Sequence, residues 1–109
     1  MEGFWSVLFT GVDGFGSGVV TLMNGELFGG DSGFLYTGSY KAQSNTFTAD
    51  VIVRRFAPGP PSVMGRDQFQ LALTGKLNET GHVIEVSGSV PGTPLKLSGK
   101  MHKQKELPK

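Results

Sequence analysis

The side chains that could do acid–base, nucleophilic or metal chemistry in this chain are scattered. His82 and His102 are its two histidines, neither has a second histidine at ligand spacing, and there is no cysteine to complete a zinc shell. The carboxylates Asp13, Asp31, Asp50, Asp67, Glu79 and Glu85 fall near turn residues or on outward positions, where solvation accounts for them better than a paired acid and base would. No serine lies in a Gly-x-Ser-x-Gly elbow. The chain is therefore expected to be no enzyme and to hold neither metal nor cofactor.

The stretch "GVDGFGSGVV", Gly11 to Val20, raises a different chemistry, because glycines at 11, 14, 16 and 18 resemble a phosphate cradle. Such a loop must feed the N-terminus of a helix, whose free N–H groups face the anion. Here the continuation "GVVTLM" is β-branched and two-sided, and no Gly-Lys-Ser/Thr ending follows. The glycines are read instead as a chain reversal, with Asp13-Gly14 as the hairpin dipeptide and Asn24-Gly25 as the next one.

The elements that would position any site are strands. Apolar residues recur at a spacing of two in the runs "FWSVLFTGV", "GVVTLM", "ELFGG", "FLYTGSY", "TFTADVIVRRF", "QFQLALTGK", "HVIEVSGS" and "LKLSGKMH", divided by glycine, asparagine and proline. Short connections predict antiparallel neighbours in a meander, and eight such strands predict an all-β barrel without exposed edges. Strand glycines such as Gly38, Gly88 and Gly99 suit the bends of a small barrel. The proline-rich segment Ala57 to Arg66 is the longest irregular stretch, with room for a helical turn around Ser62 to Met64. Residues 1–102 are read as one barrel domain and 103–109 as a flexible basic tail.

Net charge is +1, with no basic stripe beyond the lysines near the C-terminus, so direct nucleic-acid binding is not expected. No apolar run approaches the roughly 18 residues of a membrane-spanning helix, and the start "MEGFWSVLF" is acidic where a signal peptide would be positive. With no cysteine, the chain suits a reducing compartment, and a soluble cytoplasmic protein without membrane association is the expectation.

Alternation also assigns faces. A hollow barrel would be lined by Trp5, Val7, Phe9, Val51, Val53, Phe69 and Leu71, with Tyr36 and Arg55 as its polar point. Arg55 follows Val51 and Val53 inward, so it either grips the carboxylate of a fatty-acid-like ligand or is a rim charge where the strand has left the barrel. Trp5 either lines a cavity or fills the core. Phe4, Leu8, Val19 and Ile52 fall on the outward face, an apolar excess that predicts a homodimer interface.

Taken in order, "GFWSVLF", the glycines before "VVTLMNGELFGGD", the "FLYTGSY" strand and "PPSV…DQFQLAL" resemble the GrlR family, best from Gly3 to Tyr40 and thinning towards Leu73. The resemblance implies an eight-stranded lipocalin-like barrel with an apolar interior. It also implies a dimer that restrains a transcriptional activator of type III secretion genes by binding it. An acidic surface run after the fourth strand contributes to that capture in the family, whereas "YKAQSN", Tyr40 to Asn45, carries no carboxylate. The barrel is thus the expectation that transfers, while the partner stays open alongside the ligand-carrier alternative.

Overall fold

The computed structural model describes residues 1–62 and 64–108. Eight strands follow one another around a closed antiparallel barrel: β1 (Gly3–Gly11), β2 (Gly14–Met23), β3 (Glu26–Gly30), β4 (Phe34–Gln43), β5 (Thr46–Arg55), β6 (Gln68–Leu77), β7 (Val83–Ser89) and β8 (Lys96–Lys105). This is the all-β meander that the period-two runs predict. Pairing of β1 with β8, from Phe4–Lys105 to Thr10–Ser98, closes the sheet, so every strand has two neighbours and no edge is left open. No helix among the described residues is long and apolar enough to cross a membrane.

The two glycine hairpins differ. Asn24 and Gly25 have φ of 53° and 78°, the pair of positive values a type I′ turn demands, and they join β2 to β3 in two residues. Between β1 and β2, Gly11 pairs with Gly14, so the loop residues are Val12 and Asp13, and the expected Asp13-Gly14 turn is corrected by two positions of register. Both registers keep the same side chains inside. In the observed one Gly16 and Gly18 stand opposite Phe9 and Val7, so two of the supposed turn glycines are interior strand residues.

The interior is unevenly filled. At the end holding the β2–β3 and β4–β5 turns and both termini, Trp5, Leu22, Phe47, Ile84 and Met101 are completely buried, and Tyr40 stacks on Phe47 at 5.9 Å between ring centroids. Lys103 closes this end, its ammonium 5.8 Å from the Trp5 ring centroid and 2.7 Å from a Glu106 oxygen. The expected flexible tail from residue 103 is corrected accordingly. Residues 103 to 105 belong to β8, because Lys103 pairs with Trp5 and Lys105 with Phe4; Lys109 lies outside the described residues.

The other end carries the β1–β2, β3–β4 and β7–β8 connections and the long β5–β6 segment. In the last, Ser62 Oγ donates to the Arg66 carbonyl at 2.7 Å and accepts from the amides of Met64 and Arg66, and the Gly65 amide donates to the Ser62 carbonyl. These bonds tie Ser62 to Met64, Gly65 and Arg66; Val63, the middle of the expected helical turn, lies outside the described residues. The segment reaches across the barrel mouth, since Gly65 lies against the Asp13 carboxylate of the opposite hairpin.

Candidate functional site

Beneath that strap lies a cavity of about 390 Å³, within the range of roughly 300–1,000 Å³ usual for small-molecule sites. Its wall is mainly aliphatic and aromatic. Val7 and Phe9 come from β1, Val20 from β2, Phe34 and Tyr36 from β4, Val51 and Val53 from β5, Phe69 and Leu71 from β6. Alternation on each strand sends these residues inward, with Gly16 adding to the space and Gly18 making room for the Tyr36 ring. A Cβ at Gly18 would stand 2.8 Å from the Tyr36 hydroxyl, so only glycine admits that ring at this height. Met64 of the strap is buried over the mouth with Pro58, Pro60 and Pro61 beside it.

The polar point is a tyrosine–aspartate pair. In the loop after β3, one Asp31 carboxylate oxygen accepts the amides of Gly33 and Phe34 at 2.9 and 2.8 Å, an Asx turn that fixes the side chain. Its other oxygen accepts the Tyr36 hydroxyl in a short hydrogen bond. Burial first, then this bond and the nearby negative charge, hold the Tyr36 hydroxyl well above the ordinary tyrosine range. Tyr36 is a fixed proton donor here. Asp31 is half-buried and is the one charged side chain among the described residues lining the cavity.

Arg55 has the parity expected of it and a different task. Its Nε donates to Asp67 Oδ1 at 2.8 Å, Nη1 to the carbonyls of Ala57 and Gly59, and Nη2 to the Pro60 carbonyl at 3.1 Å. The guanidinium also lies over the Phe34 ring, 4.7 Å from its centroid. Four of its five N–H donors go to Asp67 and the strap, so of the two readings the rim charge holds and the carboxylate grip is corrected: Arg55 is not in the cavity wall but anchors its cover. For Trp5 the core alternative holds and the cavity one is corrected. It belongs to the packed end, with Nε1 donating to the Met1 carbonyl at 3.1 Å.

Val7, Phe9, Tyr36, Val51, Val53, Phe69 and Leu71 do line the cavity. Phe34 and Met64 are not expected there from the sequence, in which Asp31 reads as a solvated carboxylate near a turn and Gly16 and Gly18 read as part of a chain reversal. Asp31 carried one signal, an Asp two residues before Gly at a strand end, which marks an Asx turn.

On the outside, Phe4, Leu8, Val19 and Phe28 are exposed on the wall formed by β1, β2 and β3. Ile52 is exposed as well, but β5 stands diametrically across the barrel from β1, so its expected place in the same patch is corrected. Among the described residues no group of three or more His, Cys, Asp or Glu is gathered as a metal site would require.

What fold and site define is a small closed meander barrel with one capped apolar cavity. Compared with known proteins, the chain matches no protein-family model and no curated protein.

Proposed function

We propose that this protein is a non-enzymatic carrier or sensor that takes one small, mainly apolar molecule into the strap-covered end of its barrel. A single observation supports this most: one end of the interior is completely packed, while the other keeps a cavity of about 390 Å³ under an anchored strap. A fold that needed only a core would fill both ends, since voids forfeit dispersion contacts and cost stability. Native mass spectrometry of freshly purified protein is the test. Retention of a small molecule in one-to-one ratio is expected, and a clean apo mass, together with no binding of added apolar probes, overturns the reading.

A second reading keeps the regulatory role that the GrlR resemblance implies, restraint of a transcriptional activator through protein contact. Exposed Phe4, Leu8, Val19 and Phe28 on one wall favour a contact surface there, which a second copy of the chain would also bury in a homodimer. Affinity capture from the native host, with Leu8→Lys as the comparison, tests it. Loss of a captured regulator in the variant is expected, whereas capture unaffected by the substitution overturns it.

A further inference from the structure

The cavity's charge pattern says more about its ligand than its volume does. The apolar side chains of the wall would accept almost any hydrocarbon, so selection falls to the polar groups. Ser62 is engaged with its own strap through three hydrogen bonds. Tyr36 keeps its proton and spends its one hydroxyl donor on Asp31. Asp31 itself makes no ion pair among the described residues, where the pairs are Arg55–Asp67, Lys100–Glu85 and Lys103–Glu106.

A carboxylate has about four acceptor positions. In Asp31 three are taken, two by the amides of Gly33 and Phe34 on one oxygen and one by the Tyr36 hydroxyl on the other. One acceptor position remains, on a carboxylate that has no cationic partner among the described residues and lies in the wall of an apolar cavity. The Arg55 guanidinium is engaged by Asp67 and three strap carbonyls instead.

We propose that the cavity binds a lipophilic amine, its hydrocarbon along the barrel wall and its ammonium on Asp31, and that it discriminates against the corresponding fatty acid. This rests on the ligand-binding reading above and specifies it. An ammonium supplies both things the site lacks, a donor for the open acceptor position and a compensating charge that strengthens as water leaves. An alcohol supplies only the donor. A carboxylate supplies neither and would bring a second negative charge to the first.

Decylamine, decanol and decanoate share one hydrocarbon and differ in the head alone, so titration calorimetry of each below its micelle concentration, at neutral pH and low salt, isolates the polar point. Decylamine is expected to bind at least tenfold more tightly than decanoate, with decanol between them and added salt weakening only the amine. Asp31→Asn keeps the shape of the side chain and removes its charge; in a variant shown folded by circular dichroism the amine should lose at least tenfold while decanol changes little. Glu79→Gln, a carboxylate on the β6–β7 connection at the other end, should alter none of the three. Decanoate binding as tightly as decylamine, or decylamine binding no better than decanol, overturns the amine assignment and leaves the ligand-binding reading standing. Failure of all three to bind overturns that reading and the assignment with it. The wild-type series decides the question even where Asp31→Asn does not fold.

Discussion

Arg55 shows how one residue can have the right facing and a different role. Strand alternation turns it inward with Val51 and Val53, but β5 ends there and the guanidinium meets the carbonyls of the returning chain before it meets a ligand. Arg55→Ala should therefore loosen the cover and leave the wall intact. A loss of about 1–2 kcal/mol is expected in urea unfolding, modest because Asp67 is largely exposed, with faster amide exchange concentrated in residues 57 to 67. Arg55→Lys should restore little of this, because one ammonium cannot reproduce a planar fork that serves a carboxylate and three carbonyls at once. Tyr36 carries a pH dependence. Burial chiefly, with help from Asp31, raises its pKa in the fold, and burial followed by Glu2 raises that of Tyr40, the chain's other tyrosine. A phenol whose folded pKa lies above the unfolded value of about 10 contributes stability that is fully present below that value and is lost as pH rises past it. Ultraviolet titration of Tyr40→Phe, which leaves Tyr36 as the one tyrosine, should accordingly show no phenolate until alkaline unfolding begins, and the stability advantage of wild type over Tyr36→Phe should shrink above pH of about 10. A phenolate band appearing in the still-folded protein would contradict this.

At the scale of elements, the two hairpins separate intrinsic turn chemistry from imposed register. Asn24-Gly25 adopts the conformation its residue types prefer, so Gly25→Ala forces a Cβ into the left-handed region and should cost about 1–2 kcal/mol. Val12-Asp13 is no preferred dipeptide, and Asp13 does not need positive φ, so Asp13→Ala should stay within about 0.5 kcal/mol of wild type. Thermal or urea melts of the two variants make the comparison. The β1–β2 register was not legible because alternation assigns a face to each residue but is blind to a shift of two, which preserves every face. Bulk makes the choice. The observed pairing sets glycines opposite Val7 and Phe9 and lets the Tyr36 hydroxyl lie over Gly18, a contact between β2 and β4 that no property of the hairpin itself contains.

For the whole molecule, the closed barrel decides which exposed residues can act together. Leu8 and Ile52 have similar exposure and comparable neighbours in sequence, yet they stand on opposite walls. If two copies meet through the wall of β1 to β3, as proposed, Leu8→Lys should yield a monomer and Ile52→Lys should leave the dimer intact, both with unchanged β spectra. Light scattering at tens of micromolar makes that distinction. Equal effects of the two substitutions would place the interface elsewhere, and a monomeric wild type would leave the wall of β1 to β3 for a different protein or for solvent.

Strand identity and facing were determined by the sequence itself, because both are local: a period of two between turn residues places Val7, Phe9, Val51, Val53, Phe69 and Leu71 inside from any register that respects it. So was the turn at Asn24-Gly25, whose residue types tolerate the dihedrals it uses. Height along the barrel is a different kind of quantity. Whether an inward residue joins the packed end, as Trp5 does, or the cavity, as Phe69 does, depends on the stagger of all eight strands and on which termini and turns lie at each end. The place of Asp31 in the wall, the diversion of Arg55 to the strap and the separation of Ile52 from Leu8 follow from that same closure. Each is a relation between residues far apart in the chain, fixed only when the first strand meets the last.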